Sequence, residues 1–235
     1  MHGIASRRKA CEDTGTLRGA PTIAAAAAGR GGSTLIPAQI PPLDKLRLLC
    51  PGFPRKPIEV HNGDAFALAQ TLGSTYGKVG VLNLASDREP GGNGSCAGIM
   101  FPDVVVFKDT LNRNLVDLSI EQRHFVDVIT VTAPYRPKLT DDEKGFAAEL
   151  DLQDLREKIL LILRLAAVNS VTNLVLGAMG CGAYRCLPRA AACEMKTALE
   201  KEEFSGWFET TSFAVYVAGS SGKHNFDIFK VFDNP

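Results

Sequence analysis

Asn173-Leu174-Val175-Leu176-Gly177-Ala178-Met179-Gly180-Cys181-Gly182-Ala183-Tyr184 carries the clearest strand-to-turn signal of the chain. A short apolar run of strand length passes into a turn with three glycines, and a helical pattern follows. That helix spans Leu187–Glu203: Pro188 sits near its first turn, and Ala192, Met195 and Leu199 recur at a 3–4 spacing. Upstream, Leu152, Leu155, Ile159, Leu163, Ala166 and Ala167 hold the same period over four turns. A buried strand between two amphipathic helices predicts an α/β layered domain.

Moving outward, further β-rich runs occur at Ile58–His61, Gly80–Leu84, Val104–Phe107, Val126–Thr132 and Phe213–Ala218, and Asp64 stands as an N-cap before a short helix over Ala65–Leu72. The expectation is a three-layer α/β/α domain on a mixed or largely parallel central sheet, over residues 58–235. Residues 37–57, rich in proline and glycine, read as an extended segment, and residues 1–36, with Arg7-Arg8-Lys9 and the run Ala24–Ala28, as a low-complexity tail. In open α/β sheets ligands bind beyond the carboxyl ends of the strands, so the loops after them carry the function.

Two such loops are glycine-rich. The first is Asn83-Leu84-Ala85-Ser86-Asp87-Arg88-Glu89-Pro90-Gly91-Gly92-Asn93-Gly94; the second is Gly177–Tyr184. Glycines let a backbone come close to a ligand, and N–H groups near a helix start attract anions, so the pair suits a diphosphate held from both sides. Either loop alone is also an ordinary turn. The second reads G-x-x-G-x-G rather than G-x-G-x-x-G, with no acidic residue at the end of a following strand about twenty residues on, so a dinucleotide fold fits less well; no G-x-x-x-x-G-K-[ST] occurs, and the kinase and P-loop readings drop away.

Basic and acidic residues balance at 26 each, so no global field holds nucleic acid, and an anionic ligand must be held locally. The six cysteines and four histidines lack metal-ligand spacing, so neither a metal nor a cofactor is expected, and the cysteines read as free thiols of a cytoplasmic or nuclear chain. No stretch suits a membrane span. Oligomeric state is not encoded in any pattern.

Four ordered segments resemble the microbial-type poly(ADP-ribose) glycohydrolases, in a fungal-looking version: Val81–Ser86 running into Pro90-Gly91-Gly92; Pro102–Asp109; Val128–Pro134; and Leu176–Tyr184. The resemblance covers about Pro37 to the C-terminus and implies a macrodomain with ADP-ribose, or an ADP-ribosylated protein, in its cleft. It implies that Asp64 accepts from the adenine amino group, the alternative being a plain N-cap. It puts Asn83 near the distal ribose, or else as an amide satisfying loop backbone. Gly91 and Gly92 would lie against ribose and diphosphate, while Gly180, Cys181 and Gly182 would donate N–H groups. Tyr184 would stack against ligand, or simply pack at a helix entrance. Cys181 is not expected to act as a nucleophile.

Glycosidic cleavage needs a placed carboxyl group to protonate the leaving oxygen and assist water. The resembled family supplies it in a Gln-Glu-Glu segment shortly after the glycines. Between Gly92 and Pro102 this chain has no glutamate or glutamine; it reads Ser95-Cys96-Ala97-Gly98-Ile99-Met100-Phe101 into the next strand. Among the remaining acids, Asp87, Glu89 and Asp103, Glu89 is a weak substitute candidate and otherwise a solvated loop charge. Three readings follow: a binder with impaired hydrolysis, an active glycohydrolase using a substitute acid, and a shortened product of an active parent.

Overall fold

The computed structural model of the chain describes residues 32–76, 78–84, 96–142, 144–217 and 219–232. Seven strands form one sheet: β1 Thr34–Ile36, β2 Glu59–His61, β3 Val79–Leu84, β4 Gly98–Val106, β5 His124–Val131, β6 Asn173–Leu176 and β7 Thr210–Ala214, in the order β1-β4-β5-β3-β6-β7-β2. The strands from β5 to β2 run parallel, whereas β4 is antiparallel to β5 and β1 to β4. Helices α1 Ala65–Tyr76, α2 Glu149–Val168, α3 Pro188–Glu200 and α4 Gly219–Phe229 complete a mixed α/β fold.

Alternation along the strands sorts the side chains into two cores. Val79, Val81, Val126, Val128 and Val175 pack with Ala69 of α1 on one face. Leu82, Ile129, Val131, Leu174 and Leu176 meet α2, α3 and Phe229 of α4 on the other. Three layers result, as the strand and helix alternation predicts. α2 is the most enclosed helix, with Leu155, Ile159, Ile162, Leu163 and Ala166 all within 2% of full burial; truncating one of its leucines to alanine would cost about 2–5 kcal/mol.

Several elements differ from the sequence reading: β4 starts at Gly98 rather than Val104, the last strand is Thr210–Ala214 rather than Phe213–Ala218, and helix α4 stands where none is expected. Thr34–Ile36, assigned to the tail, pairs with Met100–Gly98 as the edge strand β1. Residues 37–57 hydrogen-bond to the domain at several points. Gln39 donates to Glu157 (2.7 Å to its carboxylate, 2.8 Å to its carbonyl), and the N–H groups of Gly52 and Phe53 both donate to Gly206 O at 3.0 Å. The buried Arg164 guanidinium, paired with Glu203 at 2.7 and 3.1 Å, also donates to Ile40 O at 2.8 Å. Glu203 in turn accepts from the Leu43 N–H at 3.1 Å.

β4 carries a bulge between Phe101 and Val104, where Asp103 takes φ 54°. The buried Asp127 of β5 accepts from the Asp103 N–H at 3.1 Å and has Lys78 Nζ 2.8 Å from its second oxygen. No helix among the described residues is long and apolar enough to cross a membrane.

Candidate functional site

β3 and β6 are adjacent and parallel, with Val81 opposite Val175. The chain therefore leaves Leu84 and Leu176 at the same sheet end, on strands about 4.8 Å apart. A Cβ on Gly177 would stand 3.4 Å from Leu84 Cδ1, so the start of the second glycine loop rests on the end of β3. The two glycine segments expected to act together thus originate side by side. Gly91, Gly92 and Glu89 lie outside the described residues.

Asn83 sits one residue before the end of β3, exposed, with its Nδ2 donating to Thr130 Oγ1 of β5 at 3.2 Å. That bond holds the amide at the strand ends while leaving its Oδ1 outside the contact. Asp103 is elsewhere: its backbone is bonded to Asp127, four residues before the end of β5, about 13 Å down the strand. Expected near the site, it is removed from it by the antiparallel course of β4.

In the second loop Gly180 takes φ +72°, and a Cβ there would meet Cys186 Sγ at 2.5 Å and Ala133 Cβ at 2.9 Å; the turn closes only on glycine. Gly180 O accepts from the Cys186 N–H at 3.0 Å. Of the three donors expected here, the Cys181 N–H is already engaged with Ala178 O at 3.1 Å, whereas those of Gly180 and Gly182 have no partner among the described residues. A Cβ on Gly182 would meet nothing within 4 Å, which leaves open approach to its backbone.

Burial, with the neighbouring Cys186 thiol adding to it, pushes the Cys181 thiol far up, and its Sγ lies 3.4 Å from Met179 O. A nucleophilic thiolate needs the opposite surroundings. Tyr184 is half-buried and meets Tyr135 edge-on, ring centroids 5.1 Å apart at 88°, while its carbonyl accepts from the Arg136 N–H at 2.8 Å. The aromatic pair joins the second loop to the segment after β5, a partner for Tyr184 that its sequence context did not reveal.

Asp64 is an N-cap: its Oδ1 accepts from the N–H groups of Phe66 (2.9 Å) and Ala67 (3.1 Å). It also lines a cleft of about 460 Å³ between α1 and the β4–β5 connection, with Phe66, Gln70, Lys108, Leu115 and His124. His124 Nε2 lies 3.3 Å from Phe66 O, which fixes the ring beside α1. At the neighbouring strand ends the Val215 N–H donates to His61 O at 2.9 Å and the Val217 N–H to Asn62 Oδ1 at 3.0 Å. Tyr216, between them, donates its hydroxyl hydrogen to Asn112 Oδ1 at 2.7 Å. Tyr216 and Asn112, distant in sequence, show no shared pattern there.

No protein-family profile matches the chain, and no curated protein sequence does. Solved structures do match. Poly(ADP-ribose) glycohydrolase from Thermomonospora curvata, bound to the inhibitor ADP-HPD, is 24% identical, with a TM-score of 0.72 over 97% of this chain and 98% of its own. The glycohydrolase from Deinococcus radiodurans in complex with ADP-ribose is 24% identical, with a TM-score of 0.71 over 89% and 97%. Its apo form is 25% identical, with a TM-score of 0.70 over 88% and 94%. This chain has the fold of the bacterial poly(ADP-ribose) glycohydrolases along nearly its whole described length.

Proposed function

We propose that the chain binds ADP-ribose, free or on a modified protein, and that its hydrolysis is impaired because the segment after Gly92 carries no Gln-Glu-Glu. The observation that supports ligand binding most is the common origin of the two glycine loops on the adjacent parallel strands β3 and β6. Similar folds that hold ADP-ribose or ADP-HPD give that arrangement a ligand of the right class. In this reading Asp64 meets the adenine with the oxygen not used for capping, Asn83 lies by the distal ribose, and Gly91 and Gly92 face Gly180 and Gly182 across the diphosphate. Tyr184 forms one wall, and the engaged N–H of Cys181 makes that residue a shaper of the turn rather than a donor.

The short β3–β4 connection is compatible with this fold. Residues 85–97 have only to cross β5, two strand spacings or about 10 Å, and thirteen residues reach well beyond that. The protein would act in cytoplasm or nucleus, on ADP-ribose chemistry and not on nucleic acid. Calorimetry with ADP-ribose, paired with release of ADP-ribose from poly(ADP-ribose), tests the proposal. Saturable binding without release is expected. Release that disappears in Glu89→Ala would replace it with the active-enzyme reading, and absence of both signals would favour the shortened-product reading.

A further inference from the structure

Thr132 is a polar side chain that the fold does not use. It follows β5 directly, is 4% exposed, and its Oγ1 has no hydrogen-bond partner among the described residues. A buried hydroxyl without a partner is a standing cost that calls for an explanation, and a bound ligand is one. Its place in the fold says which function. Along β5, Ile129, Val131 and Ala133 join the core beneath α2, so by alternation Thr130 and Thr132 stand on the opposite face. On that face Thr130 already receives the Asn83 amide, its register neighbour on β3. Thr132 is the next step in the same row, past the ends of both strands and on the side where the glycine loops leave the sheet.

We infer that the Thr132 hydroxyl is a specificity-determining contact to a hydroxyl of the distal ribose of ADP-ribose. The inference rests on the ADP-ribose reading above and names a residue that reading does not use. The row Asn83, Thr130, Thr132 is neutral, made of amide and hydroxyl groups, each able to donate or accept. Such a row suits a sugar, whose hydroxyls do the same, while the glycine N–H groups only donate and suit phosphate. In this inference binding supplies the partner that Thr132 lacks in the resting fold.

The test compares ADP-ribose with ADP, which has the same diphosphate and adenosine but no distal ribose. Thr132→Val keeps the shape and removes the hydroxyl. The variant should melt no lower than the wild type, because an unmet polar group is removed. It should bind ADP-ribose roughly tenfold more weakly, the scale of one hydrogen bond, with ADP affinity unchanged. Thr132→Ser, which retains the hydroxyl, should restore the preference for ADP-ribose. Equal ADP-ribose affinity in wild type and Thr132→Val overturns the inference and leaves the proposed function intact. So does a parallel loss of both ligands with a lower melting temperature, which marks Thr132 as structural. A wild type that binds neither ligand overturns the proposed function itself.

Discussion

The clearest single-residue dependence is the Arg164–Glu203 pair. Burial by itself raises the Glu203 carboxyl, yet the Arg164 guanidinium and the Leu43 N–H outweigh it and hold the group below its ordinary range. A depressed carboxyl contributes stability that is present above its unfolded value, about 4.3, and is lost as pH falls through the folded one. Urea midpoints should therefore fall with acidification below about pH 4.3, and Glu203→Gln should flatten that part of the profile. Arg164→Met should be worse than its size suggests: it leaves the partly buried Glu203 carboxylate and the Ile40 carbonyl without their donor, and urea unfolding at neutral pH should show a loss of about 1–3 kcal/mol. The thiols give a second residue-level expectation. Burial pushes Cys186 up to about 12 and Cys181 higher still, whereas Cys193 is exposed on α3. A thiol-specific disulfide reagent at pH 8 should label Cys193 in the folded protein and reach Cys181 and Cys186 only with unfolding; fast labelling of Cys181 would restore it as a reactive group.

At the scale of elements, the second glycine loop separates two roles that the sequence could not. Gly180 and Gly182 look alike in the motif, but only Gly180 has positive φ and a Cβ position already occupied by Cys186 and Ala133. Gly180→Ala should lose about 2–4 kcal/mol of stability from left-handed strain and overpacking together. Gly182→Ala should stay within about 0.5 kcal/mol of wild type, because nothing stands within 4 Å. If Gly182 faces the diphosphate, that same variant should still lose ADP-ribose affinity, roughly tenfold or more by calorimetry; undiminished binding would take Gly182 out of the site. The same contrast explains what was legible. β6 and α2 are written in local periodicity, which marks both to within a few residues of their ends. β1 was not, because Thr34-Leu35-Ile36 is three residues long and owes its extension to the β4 edge rather than to its own composition. Helix α4 is illegible for a related reason: Gly219-Ser220-Ser221-Gly222 is a poor helix former, and its order comes from Phe229 packing on Phe213 at 5.4 Å between ring centroids.

At the scale of the whole molecule, the sequence supplied the layering and the two loops but not how they meet, since adjacency of β3 and β6 is set by a strand order that no local pattern carries. It likewise left Thr132 unremarked, because its significance is the absence of a partner, a property of packing. One global property was readable throughout and still has consequences: 26 basic residues balance 26 acidic ones. With no net charge the chain exerts little overall long-range pull on a diphosphate, and the proposed donors are backbone N–H groups of glycines rather than lysines or arginines. Binding of that kind is short-range and little screened, because a Debye length of about 10 Å at 0.1 M salt still exceeds hydrogen-bond contact. ADP-ribose affinity should accordingly change by less than about threefold between 0.05 and 0.5 M sodium chloride, whereas contacts made by several cationic side chains would be screened more strongly over that span. Calorimetry at the two salt concentrations reads this directly. A steep decline would mean that cations near the loops, Arg185 after Tyr184 and Lys108 in the cleft beside Asp64, carry the phosphate contact instead of the glycine backbone.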